Sequence, residues 1–178
     1  MNLKIIYEDN DLLVIDKPAG FVVFPEGETK NGTLIDLLLE KYPKLKNCGE
    51  EPRYGVVHRL DKDTSGILLI AKNNESLIFL QKQFRNREVD KKYIALVTGV
   101  IKKDKGVIHT LIGRSPQDPR KQKVYLLDEA KIGRREAITE YKVLQTFKDY
   151  TLLEVQIKTG RKHQIRCHMA YIHHPIAG

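Results

Sequence analysis

No apolar run in this 178-residue sequence is longer than five residues, and turn-forming or charged residues close each one. Segments such as 12–15 and 67–71 suit buried strands, but a membrane-spanning helix needs about 20 apolar residues. The core must therefore be assembled from many short elements. LKIIY (3–7) and LLVID (12–16) read as strands joined by the turn Glu8-Asp9-Asn10-Asp11. Lys17-Pro18-Ala19-Gly20 ends the second strand, because Pro18 lacks an amide donor and Gly20 permits positive φ. Thr33 is placed to cap a helix over residues 34 to about 42, with positions 34, 35, 37 and 38 apolar. A second helix is expected from an Asn73 or Asn74 cap to about residue 87, its stripe formed by Leu77, Leu80 and Phe84.

The second half has strand composition over residues 91–98, 106–111, 123–127, 136–145 and 150–158, with turn signals between. Residues 161–173 then carry Ile165, Met169 and Ile172 at helical spacing, and Pro175 stops the helix. The expected class is α+β: a mostly antiparallel sheet with few helices.

Charge divides the chain unevenly. Residues 1–57 hold 7 Lys+Arg and 10 Asp+Glu, a net of −3, whereas residues 58–178 hold 24 and 13, a net of +11. A basic majority fits a polyanionic partner, most simply nucleic acid, although the same charges serve a merely solvated surface. Two cysteines, Cys48 and Cys167, are too few for a disulfide framework and read as free thiols in a reducing compartment. The acidic residues of the opening MNLKIIYEDND argue against a signal peptide, so a cytoplasmic protein is expected.

The densest chemistry lies in His58-Arg59-Leu60-Asp61-Lys62-Asp63-Thr64-Ser65-Gly66, a polar loop running into the apolar segment 67–71. A carboxylate on such a loop can act as nucleophile or general base, and a neighbouring Arg would keep it ionised, lowering its pKa by about 1–3 units. The same residue types also build an ordinary turn whose Asp and Thr bond their own backbone. Arg59 and Asp61 share one side if the stretch is extended.

HRLDKDTSGILLIAK (58–72) resembles the central motif of the RluA family of pseudouridine synthases. The similarity continues in IIYEDNDLLVIDKPAGFVV (5–23), KKYIALVTG (91–99), IGRSPQDPRKQKV (112–124), REAITEYKVL (135–144) and TGRKHQIRCHMAYIHHPIAG (159–178), in the family's order. The resemblance implies isomerisation of uridine to pseudouridine in ribosomal or transfer RNA by a monomer, with no cofactor and no metal. Asp61 falls on the catalytic aspartate, which could attack C1′, add to the ring or take a ribose proton. Tyr93 falls on the residue that stacks on the uracil, and Arg166 on the arginine that pairs with the aspartate. Arg59 matches the arginine that reaches into the RNA helix as the base leaves its stack. Arg161 and Lys162, read at a helix N-terminus, are expected to contact phosphate. His58 and Thr64 complete the expected substrate contacts.

His163, His168, His173 and His174, with Cys167, lack the Cys-x2-Cys pairing of a structural zinc site. Lys102, Lys103, Lys105, Arg114, Arg120, Lys121, Lys123, Lys131, Arg134 and Arg135 could track an RNA backbone, with the loop 115–123 the best candidate for touching folded RNA. The family normally continues with an Asp and further strand-forming residues after the position of Gly178. Residues 1–178 are thus expected to be a truncated catalytic domain without a separate N-terminal RNA-binding domain. Phe24 stands where relatives often have His, with no catalytic consequence expected. The rival expectation is a non-catalytic RNA-binding protein or RNA chaperone on the same scaffold.

Overall fold

The computed structural model describes residues 3–26, 29 and 31–177, and the chain divides into two units, residues 1–88 and 89–178. In the first unit, β1 (Lys4–Glu8), β2 (Leu12–Lys17) and β3 (Gly66–Ala71) form an antiparallel sheet in the order β1-β2-β3. The register sets Leu13 opposite Ile70, Ile15 opposite Leu68 and Lys17 opposite Gly66. Period-two alternation therefore puts Leu13, Ile15 and Lys17 on one face, and all three are fully buried. β3 was expected to be buried throughout, yet Ile67 on its opposite face is 60% exposed.

Helix α1 (Leu34–Lys41) buries Leu34, Ile35 and Leu38. Its start is fixed by the Asp36 carboxylate, which accepts from both the Thr33 amide (2.8 Å) and the Thr33 hydroxyl (2.9 Å). Asn73 caps α2 (Asn74–Asn86): its side chain accepts from the Ser76 amide and donates to Asp11. Leu77 of α2 packs with Cys48 and Ala71. Residues 55–58 run along the outer edge of β3, where Val56 bridges Ile70 and the Ala71 amide donates to the Gly55 carbonyl (2.8 Å).

The second unit is a five-stranded antiparallel sheet in the order β4-β8-β7-β5-β6: β4 (Lys92–Thr98), β5 (Lys105–Arg114), β6 (Gln122–Tyr125), β7 (Arg135–Thr146) and β8 (Tyr150–Ile157). Thr151, Leu153, Val155 and Ile157 alternate onto one buried face of β8, beside Ala95 and Val97 of β4. Met169 of α3 (Gln164–Tyr171) closes this core, with Ile165 and Ile172 partly buried against it. Beyond α3, residues 175–177 lie along β4, the Thr98 amide donating to the Pro175 carbonyl and the Ala177 amide to the Leu96 carbonyl. The α+β class holds, with the strands divided between two sheets.

At Gly55 a Cβ would fall on the Ala71 carbonyl, backbone that cannot move without unpairing the edge of β3. Gly55→Ala is expected to destabilise the chain by about 1–3 kcal/mol in urea denaturation, and an unchanged midpoint would refute this close approach.

Candidate active site

Lys17, at the end of β2, is fully buried, and its ammonium donates to three carbonyls: Pro18 (2.9 Å), Lys62 (3.0 Å) and Thr64 (2.9 Å). The Gly20 amide also donates to the Lys62 carbonyl (2.9 Å). Opposite Lys17 stands Gly66, whose φ of +133° lies in the region that favours glycine. Burial lowers the Lys17 pKa from the ordinary lysine value, while the charges of Asp63 and Asp61 act to raise it.

The turn so held begins at Asp61, whose carbonyl accepts from the Thr64 amide (3.1 Å). Leu60 is buried, and Arg59 and Asp61 on either side of it are half-buried, so both face outward from one stretch. Among the described residues of its own unit, the Asp61 carboxylate takes no hydrogen bond and no ion pair. The ordinary turn is present, but it closes through backbone groups and, among the described residues of this unit, leaves the carboxylate oxygens available. Thr64 contributes its amide to the turn and its carbonyl to Lys17.

Arg59 is held differently. Its Nη1 lies 2.6 Å from a Glu26 carboxylate oxygen, and its guanidinium lies 5.5 Å from the centroid of the Phe24 ring. Phe24 is buried and also carries the Arg53 guanidinium, 4.7 Å from its centroid. Phe24, given no role from the sequence, is thus an aromatic platform for two cations. His58 is engaged in the fold: its Nε2 accepts from the Leu69 amide (3.2 Å), and its ring stacks on Phe84 at 4.8 Å.

In the second unit, Tyr93 lies on β4 opposite Val155, half-buried against the core cluster. The helix expected from residue 161 begins instead at Gln164, because His163 adopts a left-handed conformation (φ 55°) and the preceding residues are drawn onto the sheet. Gln164 does the drawing. Its Nε2 donates to the Ile138 carbonyl and the Thr139 hydroxyl, and its Oε1 accepts from the Thr159 hydroxyl and the Arg161 amide. Arg161 therefore does not sit in the first turn of α3; its Nε donates to the Glu136 carbonyl (2.8 Å). Lys162 is exposed ahead of the helix.

One turn after Gln164, the ring of His168 is fully buried between the Thr139 hydroxyl (2.7 Å) and the Thr110 hydroxyl (2.9 Å). Burial, aided by the charge of His109, lowers its pKa to about 4. Gln164 and His168, four apart, pin one face of α3 to β7 and β5, and Arg166, midway between them, is turned to the other side and is exposed. His174 Nδ1 is engaged with the Thr98 carbonyl (2.8 Å). Neither His168 nor His174 is arranged as a metal ligand, and no cluster of metal-ligating side chains occurs among the described residues. Nor is any helix among them long and apolar enough to cross a membrane.

The profile of a family described as RNA pseudouridylate synthase matches residues 11–171. A protein of Aquifex aeolicus named as an uncharacterized RNA pseudouridine synthase is 46% identical over 178 residues, covering 99% of this chain and 54% of its own length. Ribosomal large subunit pseudouridine synthase D of Nitrosomonas europaea is 44% identical over 176 residues, with 99% of this chain and 48% of that protein covered. The chain thus spans about half the length of these curated relatives. Among solved structures, human RNA Pseudouridylate Synthase Domain Containing 4 superimposes with a TM-score of 0.77 at 31% identity, over 98% of this chain and 67% of that one.

Two outcomes test the geometry. Lys17→Met leaves three inward carbonyls without their shared donor, and is expected to cost about 2–4 kcal/mol and to accelerate amide exchange at Gly20 and Thr64. Unaltered exchange there would show that the ammonium does not hold the turn. His168 is neutral in the fold down to about pH 4, whereas an unfolded histidine protonates near 6.5. Its contribution is complete above pH 6.5 and is lost as pH falls towards 4, a decline of about 3 kcal/mol. In stability measured against pH, His168→Asn should flatten that acid limb; an equally steep limb would assign it to other groups.

Proposed function

Since the chain belongs to the RNA pseudouridylate synthase family, we propose that it isomerises uridine to pseudouridine in RNA with Asp61 as the reacting carboxylate. The observation that carries this reading is a carboxylate presented on a turn whose backbone is fixed from below, with both oxygens available for chemistry. In the reaction the bond from C1′ to uracil N1 breaks, the uracil turns, and C5 bonds to C1′. The proton leaves C5 and N1 gains one, so nothing is oxidised and no co-reactant is consumed. Attack at C1′, addition to the ring and abstraction of a ribose proton all need an oriented, ionised carboxylate in a site with little water.

The remaining roles are proposed from the resemblance to the family motif. Tyr93 supplies an aromatic face for the uracil, which is tolerant of sequence, and a hydroxyl for proton transfer. Arg166, by its place in the motif, is proposed to pair with the carboxylate and keep it charged. Arg59 helps to displace the base, whose unstacking costs a few kcal/mol. For Arg59 to reach RNA it must leave Glu26, an exchange of one carboxylate for phosphate or base contacts. The +11 half of the sequence supports a folded polyanion as substrate. Ribosomal RNA is proposed first, because several relatives are named for the large ribosomal subunit, and transfer RNA second. The proposed setting is the cytoplasm, with the protein acting as a monomer.

Release of tritium from 5-tritiated uridine in ribosomal and transfer RNA transcripts tests the reading. The unsubstituted chain should release it. Asp61→Asn should abolish release with an unchanged melting temperature, and Tyr93→Phe should separate stacking, which it retains, from proton transfer. Release by Asp61→Asn near the parent rate would remove Asp61 from the chemistry; no release by the unsubstituted chain on any RNA, with binding intact, would favour a binding protein.

A further inference from the structure

The connection from β6 to β7 has an apolar tip. Residues 131–134 (KIGR) form a tight turn in which the Arg134 amide donates to the Lys131 carbonyl (3.0 Å) and Gly133 takes a φ of +88°. Ile132 occupies the outer corner of this turn and is fully exposed. A single exposed apolar residue on a loose loop would need no explanation. This loop is built to hold it out.

Arg134 lies over the buried Tyr125 ring at 3.7 Å, and its Nη1 donates to the Glu129 carbonyl (2.6 Å). The Glu129 carboxylate accepts from the Leu126 amide (2.8 Å), closing the other side of the loop. Tyr125 is anchored in turn, its hydroxyl donating to the Arg114 carbonyl (2.7 Å). The turn also rests on β5, since a Cβ at Gly113 would come within 2.9 Å of the Gly133 carbonyl. The register brings further cations to this end of the sheet: Lys123 is opposite Gly113 on one side, and Arg135 is opposite Ile112 on the other. Lys131, Lys123 and Arg135 are all exposed.

We propose that Ile132 is an apolar wedge that packs into a groove or opened step of the folded RNA, while Lys131 and Arg135 neutralise phosphates on either side. This rests on the reading of the chain as acting on RNA. Around the tip Glu129 is paired with Arg134 (3.7 Å) and Glu136 with His109 (3.1 Å). Lys123, Lys131 and Arg135 then stand against Asp128, an excess of cations that favours a polyanion over an apolar protein surface. Among side chains an isoleucine can only contribute by excluding water from bases and riboses, the job such wedges perform between base steps. A rigid turn makes that contact at little ordering cost.

The two contributions differ in salt dependence, which makes them separable. Affinity for a fluorescent transcript of a large-subunit ribosomal RNA domain would be measured by anisotropy over a range of KCl concentrations. Ile132→Ser should weaken binding about tenfold at every salt concentration, because losing an apolar contact releases no counterion. Lys131→Ala or Arg135→Ala should instead lower the slope of log K against log salt by about 1 each. Unchanged affinity in Ile132→Ser overturns the inference alone, provided the unsubstituted chain still releases tritium. If Ile132→Ser abolishes self-association and spares RNA binding, the tip belongs to a second copy and the inference is again overturned. An unsubstituted chain that binds no RNA overturns both this inference and the reading beneath it.

Discussion

A single buried ammonium holds the turn that carries Asp61. Lys17 enters the core because strand parity places it there, on the face of Leu13 and Ile15. A lysine in that position is costly unless its donors are met, and here three carbonyls meet them. Two of those carbonyls belong to the turn that begins at Asp61, so satisfying Lys17 and shaping the turn are one event. The nearby Asp63 and Asp61 charges favour the protonated form against burial. The result is a carboxylate positioned through its backbone rather than by hydrogen bonds to its oxygens within its unit.

The second unit solves a related problem with neutral groups. Gln164 uses both donors and both acceptor positions of its amide on the sheet and the segment before α3, and His168 bridges two threonine hydroxyls one turn later. A buried polar network of this kind is fully satisfied and specifies one seating of the helix. Arg166 is carried on the opposite side of the same short helix, so the bonds made by Gln164 and His168 set the side it faces. In both units the residue proposed for the chemistry is held by a buried polar neighbour close in sequence or across the sheet.

Much of this was legible before any coordinates. The hairpin, both helix caps and all five strands of the second unit follow from alternation, Asn and Thr caps and turn residues, within a few residues at each boundary. The turn at Asp61 is legible as a polar loop running into an apolar strand, but residue types alone suit an ordinary turn equally, and only the family resemblance marks Asp61 for chemistry. Lys17 was missed although its signal was present. Counting by twos from Leu13 reaches it, but a lysine read by type alone is assigned to solvent. The start of α3 was misjudged because Arg161 and Lys162 suit a helix terminus, whereas long-range bonds from Gln164 decide where the helix begins. Phe24 was passed over because its role depends on Arg53, Arg59 and Glu26, and no local pattern in the sequence announces that meeting.

In the proposed reaction Lys17 acts through the backbone of the turn and not through the substrate. This role is tested most directly by the single-turnover rate of tritium release from saturating RNA by Lys17→Met, measured at a temperature where the variant remains folded. A carboxylate displaced by about 1 Å should react about 100-fold more slowly, with RNA affinity within about twofold of the parent. A rate close to that of the parent chain would contradict the account.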